Sequence, residues 1–157
     1  MIMLSFWSMS ALAQSPKGPV WPAGKKMALS LTFDDGRGSQ VLAGVKLLNQ
    51  YGAKATFYVM PNAIEKTIPL WRDLVKAGHE IGNHTSFHPC SGNFAWSRSK
   101  ALEEYSLEKM AKELQESNRQ ISDMLGVVPE SFAYPCGQTF VGNNEKTQSY
   151  VPLVYRQ

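Results

Sequence analysis

The residues that offer most chemistry in this 157-residue chain are two adjacent carboxylates and two nearby imidazoles. Asp34 and Asp35 stand side by side in "LTFDDGRG", after an apolar run and immediately before Gly36. Neighbouring like charges repel, and a turn at Gly36 needs neither of them. On their own they read as a solvated Asp-Gly turn. His84 and His88 lie four residues apart in "GNHTSFHPC", where Gly82, Asn83 and Pro89 argue against a helix. The pair therefore belongs to a loop that bends back on itself, and alone it is a weak metal signal. Together the two stretches say more. Two neutral imidazoles and one carboxylate form a three-ligand face with open positions, the pattern of a catalytic rather than a structural zinc. A cation held there lowers the pKa of water to about 7, and a second carboxylate is then useful as the base that takes the proton. It also relieves the repulsion between the two acids.

These residues need elements to position them. An apolar run over 27–33 predicts a buried strand. Residues 39–52 predict a helix with Val41, Val45 and Leu48 on one face and Gly52 as its stop. Residues 54–60, β-branched and aromatic and closed by Pro61, predict a second strand. A helix follows over 68–78, with Pro69 in its first turn and Gly78 at its end. Residues 79–85 form a short third strand. The clearest helix covers 106–125, with Met110, Leu114, Ile121 and Leu125 on one face and Gly126 as cap. A fourth strand is expected over 130–135 and a fifth near 150–155. Strand and helix alternate, which predicts an α/β fold with a parallel sheet and crossover helices. Chemistry in such folds gathers at the carboxyl ends of strands. Asp34/Asp35, the 84–88 loop and the 134–137 segment all fall there.

Three stretches, "TFDDG" (32–36), "HTSFH" (84–88) and "FAYPCG" (132–137), resemble the first three motifs of the polysaccharide deacetylases, the NodB-type domains of carbohydrate esterase family 4. The resemblance runs from about residue 25 to the end of the chain. It implies an incomplete TIM-like (β/α) barrel, truncated after about four or five strands. Residues 27–157 would then be the N-terminal part of such a domain. It implies Asp34 as general base, and Asp35, His84 and His88 as ligands of a divalent metal, zinc first with cobalt or another ion as alternatives. A backbone N–H near Tyr134 would meet the oxyanion. The implied reaction is hydrolytic removal of acetyl groups from an oligo- or polysaccharide, with N- and O-acetyl both open.

Two departures accompany the likeness. Ala133 stands where the family often has an arginine that orients the base, and the family's later motifs, including a histidine general acid, do not follow. His79 is the remaining histidine and is expected to pack or cap. A non-catalytic metal- and carbohydrate-binding remnant is therefore the alternative. If the loops bearing Cys90 and Cys136 line one pocket, the two can bridge. Free thiols, or Cys90 as an extra metal ligand, remain the other options. Among Phe87, Phe94, Trp96, Tyr134 and Phe140, Trp96 is the candidate for stacking on a sugar ring.

Bulk properties narrow the partners. A net charge of +3 without a Lys/Arg block names no nucleic acid. Residues 1–13 are uncharged, end in Ala-Leu-Ala and are too short to span a bilayer. They read as a signal peptide, whole or partial, followed by an irregular lead-in over 14–26. The expected location is secreted or periplasmic, without a stable membrane anchor.

Overall fold

The computed structural model describes residues 24–155, so the signal segment lies outside the described residues, as does most of the lead-in. Three parallel strands, β1 (Thr32–Phe33), β2 (Thr56–Val59) and β3 (Glu80–Asn83), lie in the order β1-β2-β3. Phe33 pairs with Phe57, Phe57 with Ile81, and Val59 with Asn83. The segment expected as a buried strand over 27–33 pairs over only two residues. It is an edge strand beside a four-residue neighbour, and Met27 and Leu29 ahead of it are exposed. The expected fourth strand shrinks to one parallel bridge between Asn83 and Phe132. Asn83 N–H donates to Ser131 O at 2.9 Å, and Ala133 N–H to Asn83 O at 3.1 Å. Pro129 and Pro135 bracket this segment and cannot donate to a ladder.

The first crossover begins as a turn of π-helix, Gln40–Gly44, and continues as α1 (Val45–Gln50). The second contains α2 (Pro61–Ile64) and α3 (Ile68–Lys76), with Pro69 in the first turn of α3 as expected. After β3 a long loop with two short 3-10 turns leads to α4 (Leu107–Leu125). Ser106 caps α4 by accepting from Lys109 N–H, and Gly126 closes it at φ +74°. A small antiparallel pair follows, β4 (Phe140–Val141) with β5 (Gln148–Ser149). The fifth strand expected near 150–155 is a correction: these residues form α5 (Val151–Val154). Pro152 explains it, because proline suits a first helical turn and removes a ladder donor. Among the described residues the sheet does not close into a barrel.

One core lies between the sheet and its helices. It contains Phe57, Val59, Ile64, Trp71, Leu74, Ile81, Ile121 and Leu125, with Phe57 edge-on to Trp71. A second core, Leu102, Tyr105, Met110, Leu114, Val141 and Tyr150, lies under the β4–β5 pair. Helix α4 enters both cores, its last turns facing the first and its opening turns the second. Between them it buries Glu113 and Ser117 on the same stripe.

Ser117 is satisfied by Asn83 at the end of β3, and Glu113 by Phe87 and Tyr105. The Asn83 Nδ2 group donates to Leu114 O (3.2 Å) and Asn118 Oδ1 (2.7 Å), while its Oδ1 accepts from Thr85 N–H (2.6 Å) and Ser117 Oγ (2.9 Å). Removing that side chain strands buried donors and an acceptor, each at a cost of about 1–3 kcal/mol. Asn83→Ala should therefore lower unfolding stability by about 2–4 kcal/mol in a denaturant titration. Gln120→Ala, on the solvent side of α4, should change it by less than about 0.5 kcal/mol.

Candidate metal centre

Asp35 follows the carboxyl end of β1, and His84 follows the carboxyl end of β3. The chain turns sharply at both places. Asp35 has φ +75°, and Gly36 behind it has φ +66° with space so tight that a Cβ there would lie 2.8 Å from Ile64 Cγ2. Glycine is the residue that satisfies both demands. In the second loop Thr85 (φ +62°) and His88 (φ +50°) are also left-handed. Thr85 is fully buried, and its Oγ1 accepts from His88 N–H at 2.9 Å, closing the loop on itself. Glu113 Oε1 accepts from Phe87 N–H at 3.0 Å while Oε2 accepts from Tyr105 OH at 2.7 Å. Burial and the Glu113 carboxylate push the Tyr105 phenol well above its usual range, so it stays a donor.

These turns bring three side chains together. Asp35 Oδ1 lies 3.6 Å from His84 Nε2 and 3.7 Å from His88 Nε2, and the three ligand atoms fall within 4.8 Å of one another. The Asp35 Oδ2 atom is occupied: Arg37 donates to it from Nε at 3.0 Å and from its terminal nitrogen at 2.7 Å. His84 is buried, and its Nδ1–H donates to Ala133 O at 2.9 Å, so the Nε2 lone pair faces Asp35. His88 Nδ1 lies 3.6 Å from Cys90 Sγ, leaving its Nε2 toward the same point. Burial and the adjacent His84 ring hold the His88 imidazole below its usual range, against the pull of Asp35. Neutral imidazoles are the form that binds metal.

The donor set fits a divalent cation. Ligand atoms about 2.0–2.2 Å from one tetrahedral ion lie roughly 3.3–3.6 Å apart, close to the spacings seen here. Two imidazoles and one carboxylate oxygen also leave further positions open. Asp34 is placed apart from this trio. It is exposed, its carbonyl accepts from Gln40 Nε2 at 2.6 Å, and its carboxylate has no partner among the described residues. Tyr134 follows Ala133 directly, with its ring against Phe132 and Tyr150. The backbone N–H groups of Tyr134 and Cys136 donate to no backbone carbonyl among the described residues. His79 lies at the amino end of β3, where Ala55 N–H donates to its Nδ1 and Asn49 Oδ1 pairs with its Nε2.

Cys90 and Cys136 form a disulfide with Cα atoms 5.9 Å apart, which excludes free thiols and removes Cys90 as a ligand. It joins the loop after His88 to the loop after Tyr134. Ser91 N–H, donating to Gln138 Oε1 at 2.7 Å, ties the same loops a second time. Arg37, Asn83, Thr85 and Glu113 were not among the residues expected at the site. The signal for Glu113 was present, since it falls on the buried stripe of α4 with Met110, Leu114, Ile121 and Leu125. Arg37 carried none.

The chain matches the polysaccharide deacetylase family model over residues 22–153. It belongs to that family. It is 28% identical over 128 residues to the peptidoglycan-N-acetylglucosamine deacetylase PgdA of Listeria monocytogenes, covering 80% of this chain and 25% of that protein. Its fold is similar to the Streptococcus pyogenes deacetylase PplD, solved with acetate (TM-score 0.64, 22% identity, 85% of this chain and 54% of that one). It is also similar to a family 4 acetyl xylan esterase from Clostridium thermocellum, solved with a cobalt ion (TM-score 0.56, 30% identity, 69% of this chain and 49% of that one). The chain thus spans a quarter of the length of that curated relative and about half of those solved chains.

Zinc should raise the thermal midpoint of the chain, because a ligand bound only by the native state stabilises it by mass action. At a free zinc level about 100-fold above Kd the gain is about 2.7 kcal/mol. His84→Ala should abolish the rise, measured by circular dichroism with zinc and with a chelator. An equal rise in the variant would place the ion elsewhere.

Proposed function

We propose that this chain removes acetyl groups from an acetylated oligo- or polysaccharide by metal-assisted hydrolysis. The observation that carries the reading is the convergence of Asp35 Oδ1 and the two Nε2 atoms of His84 and His88 on one point. In this reading those three residues hold a divalent cation, zinc first, with cobalt or another ion as alternatives because affinity alone does not fix identity. The bound cation supplies Lewis acidity, which polarises an acetyl carbonyl and acidifies water. Asp34 accepts the proton of the attacking water, a role that suits an exposed and unpaired carboxylate next to a ligand. The water oxygen bonds to the acetyl carbon, and a free N–H at Tyr134 or Cys136 donates to the developing oxyanion. The bond from the acetyl carbon to the sugar nitrogen or oxygen then breaks as that atom takes a proton from solvent, releasing acetate and the free amine or alcohol. Residues 27–157 are read as part of one NodB-type domain of an exported protein. The disulfide supports export, since such bonds persist in oxidising compartments.

A second reading has its own observation. The chain has three histidines, of which two are ligand candidates, and the third, His79, is bonded through both ring nitrogens. Within these residues no further imidazole is left to protonate the leaving group, which favours, for this stretch by itself, binding of metal and carbohydrate without turnover.

One pair of measurements separates the two. With zinc bound, acetate release from acetylated chitin and xylan oligomers should be measurable in the unmutated chain. It should fall by at least about 100-fold in Asp34→Asn, while zinc affinity stays within about twofold. Turnover retained in Asp34→Asn would refute the base assignment. Zinc and sugar binding with no acetate release by the unmutated chain would decide for the second reading.

A further inference from the structure

Beside the loop that carries the two ligand histidines lies a cavity of about 490 Å³. Ser86 and Phe87, which stand between those histidines, contribute to its wall together with Lys109, Lys112, Glu113 and Glu116 of α4. None of Asp35, His84 and His88 lines it, so the cavity is separate from the metal centre. Its size falls within the range of about 300–1,000 Å³ that small-molecule sites occupy. The wall is mostly apolar, built from Phe87, which is 60% exposed, and from the aliphatic stems of the long α4 side chains.

The polar groups around this cavity divide into occupied acceptors and unoccupied donors. Glu113 Oε1 accepts from Phe87 N–H, and its Oε2 accepts from Tyr105 OH. Both Glu116 oxygens accept from the Arg119 guanidinium, and one accepts from Gln120 Nε2 as well. The Ser86 hydroxyl is different. Ser86 is only 8% exposed, and its buried Oγ has no hydrogen-bond partner among the described residues. Buried polar groups are normally paired, and one left unpaired carries a cost that a bound acceptor would remove. The Lys112 ammonium has no ion pair or hydrogen bond among the described residues. The Lys109 ammonium rests on the Tyr105 ring, 3.8 Å from its centroid, and leaves its donors open.

We propose that this cavity binds a small organic anion, its apolar body against Phe87 and its carboxylate or phosphate on Lys109, Lys112 and the Ser86 hydroxyl. The donors left over set the sign of the ligand's charge. A cationic ligand would meet two ammonium groups and find every carboxylate oxygen already holding a donor. A neutral apolar ligand would leave the Ser86 hydroxyl unpaired. Two ammoniums and a hydroxyl together suit an anionic head group, because charge-assisted hydrogen bonds are the strong ones. The occupant touches the loop between His84 and His88 without touching a metal ligand, and the inference holds whether or not the chain turns over an acetylated sugar.

The test titrates the full zinc-loaded chain by calorimetry with hexanoate, hexyl phosphate, hexanol, hexylamine and acetate. Hexanoate or hexyl phosphate should bind at least about tenfold more tightly than hexanol, the scale of one charge-assisted hydrogen bond. The tighter of the two tells carboxylate from phosphate. It should also exceed acetate by at least about tenfold, because acetate lacks the apolar body. Lys112→Ala should weaken the preferred anion by at least about fivefold, and Lys112→Arg should restore most of that. Ser86→Ala should weaken it too without lowering the thermal midpoint, since the hydroxyl it removes has no partner in the fold. Lys112 is exposed, so its variants give the answer if Ser86→Ala does not fold. Affinity unchanged in Lys112→Ala, or in a folded Ser86→Ala, puts the anion elsewhere, the metal centre above all, and overturns the proposal. Hexanol, hexylamine or acetate binding as tightly as the anions overturns it as well. So does the absence of binding by every probe, which would leave the cavity to water.

Discussion

The carboxamide of Asn83 is the constraint on which the rest of the site depends. It ends β3, the strand beside central β2, and its own backbone completes the bridge to the 131–133 segment. Its side chain turns inward, saturating donors and acceptors on α4 and at Thr85. A buried polar group with every partner in place rigidifies its surroundings, and the same group half-satisfied would weaken them. His84 is the next residue. Its orientation is therefore set twice, through the backbone leaving Asn83 and through Ala133 O, which the Asn83 bridge holds in reach of Nδ1.

From that point the chain goes uphill locally. Four of the five non-glycine residues with positive φ among the described residues, Asp35, Thr85, His88 and Cys136, lie in the loops of the metal centre. Such conformations cost of order 1–3 kcal/mol each and persist where the surroundings over-determine them. The surroundings here do so visibly. Thr85 is clamped between Asn83 Oδ1 and His88 N–H, Glu113 reaches from α4 to Phe87 N–H, and the disulfide holds Cys136 against the 88–91 loop. Helix α4 thus does more than cover the sheet. Its apolar stripe builds two cores, and its two buried polar residues hold the metal-binding loop in shape.

Much of this was legible in the sequence. Alternating strand and helix patterns gave the parallel sheet, and Pro69, Ser106 and Gly126 marked helix ends that the structure keeps. What stayed hidden depends on neighbours. Residues 27–33 looked like a buried strand because they are apolar, but an edge strand pairs only as far as its partner extends. The residues near 150–155 looked extended because they are apolar, and Pro152 turns them into a helical turn instead. At the site, side-chain type pointed to Asp35, His84 and His88, whereas Arg37 and Asn83 act through geometry that no spacing in the chain encodes. The disulfide was legible only conditionally, since it required both loops to share one rim.

The two adjacent carboxylates end up in different environments, and the backbone is the reason. In an extended chain neighbouring side chains point to opposite faces. The left-handed turn at Asp35 redirects that side chain toward the imidazoles, while Asp34 stays in solvent. Arg37 then neutralises one Asp35 oxygen and leaves the other to face His84 and His88. Arg37 on Asp35 and Lys100 acting on His88 set two cations against the two carboxylates at this rim. Arg37 is fully available to solvent on its outer side, so its pairing is worth little as stability. Its effect is directional: it occupies Asp35 Oδ2 and leaves Oδ1 as the one oxygen facing the imidazoles.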